Sequence, residues 1–197
     1  ETDDALQAEA QRISPLLTDY GNDIRLNEAL FKRVKTVYDQ RENLSLTAEQ
    51  QTLLEKTYKS FTRNGANLSL DDKGRLRKID KELATLKLKF SENVLAETQH
   101  YQWVITDKNT LSGLPDFVLE MLAQEAKKRN VQGWVITLDL PVYTAVMKYA
   151  DNRDLRQKLF TDYHSRCAGE SAYNNEDNVL RIAQLRQARA SLLGYPN

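Results

Sequence analysis

Apolar residues recur at helical intervals from the start of the chain: Leu6, Ala10, Ile13, Leu17, Tyr20 and Ile24 are spaced 4, 3, 4, 3 and 4 residues apart. The stripe keeps its phase through Ser14-Pro15, which predicts one long helix kinked where Pro15 removes a backbone donor. Asn27 can cap a second helix whose buried side is Leu30, Phe31, Val34, Val37 and Tyr38. Thr47-Ala48-Glu49-Gln50 reads as a capping box, and the helix it opens carries Leu54, Thr57, Tyr58 and Phe61 before Asn64-Gly65 ends it. The longest element runs from about Asp71 to Gln99 with Leu76, Ile79, Leu83, Leu86, Phe90 and Val94 on one face, a rod of about 40 Å. The earlier helices are expected to pack along it as antiparallel neighbours. Lys78, Lys81, Glu82 and Lys89 make up its solvated side.

The period then changes. "HYQWVITD" at 100–107 and "GWVITL" at 133–138 are rich in aromatic and β-branched residues and predict short strands, near 101–106 and 134–138. Between them a polar turn leads into a helix that Pro115 starts at its first position and Asn130 ends. So long a connection predicts a parallel pairing of the strands. Trp and Ile of the repeated Trp-Val-Ile-Thr would then share one side, Val and Thr the other. Trp103 and Trp134 would be neighbours, at least one of them substantially buried against Val118 or Leu122. The flanks share no further similarity at the 31-residue offset, which excludes a solenoid repeat.

A short helix follows Asp139-Leu140-Pro141, and Asp151 is expected to cap the next, with Leu155, Leu159, Phe160, Tyr163 and Cys167 on its buried stripe. "AGESAYNN" is a loop, and a last helix runs from about Glu176 to Leu193 before Gly194. The fold class is therefore mostly α: long antiparallel helices with a small two-stranded β insertion. Residues 1–197 form a single helical region, with a long-helix part at 1–99 and a strand-helix-strand part with C-terminal helices at 100–197. Val179, Ile182, Leu185, Ala190 and Leu193 give the last helix apolar surface on more than one side, which predicts an exposed patch and self-association of the chain.

Composition removes several function classes. Lys plus Arg equals Asp plus Glu at 28 each, so net charge gives no basis for binding nucleic acid or an anionic membrane. No stretch approaches the roughly 18 apolar residues of a membrane span. The single cysteine, Cys167, excludes an intramolecular disulfide and fits a reducing compartment, so a cytoplasmic location is expected ahead of a periplasmic one. The absent initiator Met suggests excision from a longer protein.

Candidate chemistry is thin. His164 and Cys167, at i and i+3 of one expected helix, could supply two zinc ligands, but a site needs three or four and His100 has no partner at metal-site spacing. His164 could in principle serve Cys167 as a base, yet a thiol in an apolar helix stripe is ordinarily inert. Asp151 with Asp154, and Glu176 with Asp177, stand in first helical turns, where acidic residues complement the helix dipole. H-E-x-x-H, G-x-S-x-G and the phosphate-binding glycine loops are all missing from the sequence. No catalytic, cofactor-binding or metal-binding residue is assigned.

Seven segments in order, "NDIRLNEALFKRV" at 22–34, "FTRNGANL" at 61–68, "KFSENVL" at 89–95, "LSGLP" at 111–115, "WVITLDLPVY" at 134–143, "NRDLRQKLF" at 152–160 and "LRQARASLLGYPN" at 185–197, resemble the N-terminal half of the thimet oligopeptidase family of zinc metallopeptidases. The bacterial peptidyl-dipeptidase and oligopeptidase branch is the most similar. The resemblance implies a helical, two-lobed parent enzyme that cuts short peptides in a channel between its lobes. It also implies zinc held by two histidines of an H-E-x-x-H helix and a downstream glutamate. None of those residues maps onto positions 1–197, so this part would carry no zinc, form one channel wall and have the catalytic lobe of the same chain as its partner. The alternative is a free-standing helical interaction module without enzymatic activity.

Overall fold

A computed structural model describes residues 3–197, and among these the chain forms eight α-helices and two short strands. It divides into two compact units: residues up to Lys89 together with Asn178–Asn197, and Phe90–Asp177.

In the first unit, α1 (Asp4–Arg25) runs through Pro15 as its stripe predicts, and Asp3 caps it by accepting from the Leu6 N–H. Its apolar stripe is not buried: Leu6, Ile13, Leu17, Tyr20 and Ile24 are all exposed. The residues that α1 and its cap do bury are Asn22 and Leu26. α1 is fastened to α4 (Leu70–His100) by ion pairs, Asp19 to Lys81 at 2.8 Å and Asp23 to Arg77 at 2.7 Å, which set the two helices antiparallel. Lys81 therefore does more than solvate a face, and Glu82 likewise holds Arg181 of α8 (Glu176–Leu192) at 2.6 Å.

Helices α2 (Glu28–Asp39) and α3 (Ala48–Arg63) form a hairpin joined by aromatic stacking, with Tyr38 on Tyr58 at 3.8 Å and Phe31 between Tyr58 and Phe61. Asn27 caps α2, and the Thr47–Gln50 capping box is formed in both directions. Only Phe31 of the expected α2 side is fully buried; Leu30 and Val37 stay exposed. At the end of α3, Gly65 adopts φ +92°. A Cβ there would stand 2.6 Å from a Leu76 methyl, so glycine is what lets Leu76 close the junction. Along α4, Leu83 packs with Ile182 and Leu185 of α8. The expected exposed face of α8 is thus corrected in part: Ile182 and Leu185 are buried, while Val179 is exposed as expected, with Leu180 exposed beside it.

The second unit is built around one core in which α5 (Asp116–Lys128), α6 (Leu140–Tyr149) and α7 (Arg153–His164) enclose Ile105, Val118, Leu122, Ile136, Val146 and Leu159. Strands β1 (Trp103–Ile105) and β2 (Trp134–Ile136) pair, but antiparallel, with Trp103 opposite Ile136 and Ile105 opposite Trp134. The parallel expectation fails because the intervening segment does not cross over. Ile105 and Trp134 are partners, so the polar stretch 106–115 leads away from the strand end and α5 brings the chain back to it. The Trp-Ile face survives this correction, since period 2 keeps both Trp and both Ile on one side in either orientation. The two indoles lie diagonally across the ladder rather than side by side, and each is only half-buried against the core.

Three boundaries also shift. Pro115 stands at the cap of α5 rather than inside it, Asn152 and not Asp151 caps α7, and α7 stops at His164, so Cys167 lies outside the helix in a left-handed turn at φ +58°. Asn130 ends α5 with φ +57° as expected.

Gly133 is the tightest point of the sheet. At φ +98° a Cβ would meet the Ile105 carbonyl oxygen at 2.2 Å, whereas Gly169, at φ +64°, faces open space. Gly133→Ala is therefore expected to lower unfolding stability by about 3 kcal/mol or more, and Gly169→Ala by about 1 kcal/mol, the clash being added only in the first. Urea denaturation of the two variants beside the parent chain checks the difference.

Candidate functional site

The two histidines, Cys167 and Glu97 each have a structural engagement. The His164 Nδ1 lies 2.9 Å from the Phe160 carbonyl, which can only accept, so that nitrogen carries the proton; the ring lies tilted against Phe160 at 4.1 Å. The His100 Nδ1 lies 2.7 Å from the Ala96 carbonyl and 3.3 Å from the Tyr173 hydroxyl. Cys167 is buried, its N–H donating to Glu97 Oε2 at 2.7 Å, and Ser171 Oγ donates to that same oxygen. Glu97 thereby ties the turn after α7 to α4. Burial first, then the Glu97 carboxylate, push the Cys167 thiol up to about 11, which suppresses the thiolate a nucleophile needs.

The paired carboxylates serve helix starts. Asp154 lies in the first turn of α7, and Glu176 accepts from the Gly169 N–H at the head of α8, with Asp177 beside it. Asp151 takes no capping role, its N–H donating to the Ser112 carbonyl. Among the described residues no three His, Cys, Asp or Glu side chains assemble in a way that could hold a metal ion. These donors therefore do not fit a zinc ion.

A second polar cluster is invisible in the sequence because its members are 61 residues apart: the Tyr101 hydroxyl donates to Asp162, which Lys158 also approaches while lying over the Trp103 ring at 4.8 Å. Burial and this bond to a carboxylate raise the Tyr101 pKa, so the phenol is held neutral.

One concave feature belongs to the first unit. An open groove of about 890 Å³ lies between α1, α4 and α8, walled by Leu6, Ile13 and Leu17 on one side and Leu83, Ala84 and Leu88 on the other. It exists because ion pairs, rather than the apolar stripe, seat α1 on α4. The sequence does carry a signal for this seating: acidic Asp19 and Asp23 match basic Lys81 and Arg77 at the same four-residue step.

No protein-family model matches the chain. Similarity to individual proteins is extensive along it. It is 33% identical over 199 residues to a probable cytosolic oligopeptidase A of Arabidopsis thaliana, with 98% of this chain and 28% of the relative covered. It is 32% identical over 197 residues to the dipeptidyl carboxypeptidase of Salmonella typhimurium, covering 100% of the chain and 29% of the relative. This chain is homologous to the N-terminal part of thimet oligopeptidase family enzymes. Oligopeptidase A of Escherichia coli matches at 28% over 187 residues. The chain spans just over a quarter of the length of these peptidases, and no helix among its described residues is long and apolar enough to cross a membrane.

The raised thiol and phenol predict an alkaline sensitivity. Both groups stay neutral in the folded chain at pH values where their unfolded counterparts ionise, so there the unfolded chain binds fewer protons and stability falls with pH. The contribution of Cys167 is present below its ordinary value of 9.0 and is lost as pH rises through about 11. Urea midpoints are expected to decline across that interval, Cys167→Ala to flatten the decline from pH 9.0 upward, and Tyr101→Phe to flatten it from pH 10.0 upward.

Proposed function

We propose that the chain is a non-catalytic helical portion of a zinc-dependent oligopeptidase or peptidyl-dipeptidase, whose complete form hydrolyses short peptides, and that this portion forms one wall of the channel admitting them. The supporting observation is homology to peptidases over nearly its whole length, combined with described residues that form no metal-holding group. Zinc, the water-activating glutamate and the reacting peptide bond would belong to the remainder of the parent polypeptide. The contribution of this part is then exclusion and support. A rigid helical wall limits which peptides enter, and no residue of this chain takes part in a proton transfer.

The balanced charge and the buried lone thiol support a cytoplasmic setting, with short peptides and the catalytic lobe as partners and neither nucleic acid nor membrane. A free-standing interaction module is the competing reading, favoured by the exposed apolar stripe of α1. The coding sequence beyond Asn197 separates them, since the peptidase reading requires an H-E-x-x-H downstream. Elemental analysis of the purified chain is expected to give no stoichiometric zinc, and quenched fluorescent peptides to stay intact with it. The polypeptide extended to the length of its relatives should bind zinc and cleave them. One tightly held zinc on the 197-residue chain, lost to a chelator together with peptidase activity, would overturn the assignment.

A further inference from the structure

The groove of the first unit has a chemistry of its own, independent of the peptidase reading. Its walls are apolar, and α1 leaves Leu17 64% exposed over the opening. Both acidic residues on its lining are already engaged, Asp80 with Arg189 at 2.8 Å and Glu9 with Arg12 at 2.8 Å. Two basic ones, Arg25 and Arg186, are exposed and have no carboxylate partner among the described residues. The field over the opening is therefore positive although the chain as a whole is neutral.

The walls also decide the conformation of a guest. They are the sides of helices, whose backbone groups are bonded internally, so an extended peptide would find no free N–H or C=O row to pair with. A helix brings its own backbone bonds and offers only side chains. The lining runs along α1 from Leu6 to Arg25, a length of about 28 Å and about five helical turns. We infer that the groove between α1, α4 and α8 docks an amphipathic helix of about five turns, apolar toward Leu17 and Leu88 and acidic along the flank that meets Arg25 and Arg186.

Two synthetic peptides of about 18 residues test this. Both carry leucines at i, i+3, i+4 and i+7; one has glutamates and the other lysines at the flanking positions. Fluorescence anisotropy with the whole chain should show the glutamate peptide bound about tenfold more tightly than the lysine peptide, as two attractive charge pairs in place of two repulsive ones would give. Arg25→Glu with Arg186→Glu should invert that order, and Leu17→Asp, at an exposed position that circular dichroism can verify as harmless, should abolish binding of both. Equal affinities, binding indifferent to Leu17→Asp, or no binding of either peptide would each overturn the inference. So would sedimentation showing a dimer that Leu17→Asp dissociates and that neither peptide displaces, since the occupant would then be a second copy of the chain.

Discussion

Burial of the α4 ridge is the constraint that organises the first unit. Leu76 and Leu83 are almost wholly withdrawn from water, and each is covered by a different device. Over Leu76 the chain supplies a glycine, Gly65, whose missing side chain is the space the leucine fills. Over Leu83 it supplies Ile182 and Leu185 from the far end of the sequence. Fully burying a leucine is worth about 2 kcal/mol, so two such residues are a large part of the net stability of a marginal fold. With α8 on that ridge, α1 is left to seat through charged residues. Its apolar stripe is consequently available for something else.

How far the sequence could be read depended on whether a feature was local. The capping box at Thr47, the cap at Asn27 and the left-handed end at Asn130 are decided within a few residues, and all are found as expected. Strand existence at Trp103 and Trp134 was equally plain from β-branched neighbours. Strand direction was not, because a connection that doubles back and one that crosses over can have the same length and pattern. The 61-residue separation of Tyr101 from Asp162 and the 70-residue separation of Glu97 from Cys167 likewise leave no mark in any window of sequence. The α1 stripe shows a different limit. Period established that the helix has an apolar side, but period says nothing about whether a neighbour of the same chain arrives to cover it.

The chemistry obeys the same division. Several residues of types that can perform catalysis are tied into architecture: His164 against its own helix, Glu97 across a loop, Asp154 in a first turn. The groove is the exception, being a property of how three helices are spaced rather than of any motif.

The pairs that hold α1 on α4 have a consequence for alignment. Asp19 and Asp23 are one turn apart, as are Lys81 and Arg77, and the two members of each helix bear the same sign. Sliding α1 by a single turn, about 5.4 Å, would set Asp23 against Lys81 and still match opposite charges. These two exposed pairs therefore cannot tell the correct alignment from its nearest error. What can is Lys73, whose ammonium is buried and meets Glu28 at 2.9 Å just beyond the end of α1. A slipped helix would carry Glu28 away and strand that cation without solvent or partner, a cost of several kcal/mol. One buried lysine thus acts as the reference mark of the bundle, and the visible ladder beside it only tightens an alignment chosen elsewhere.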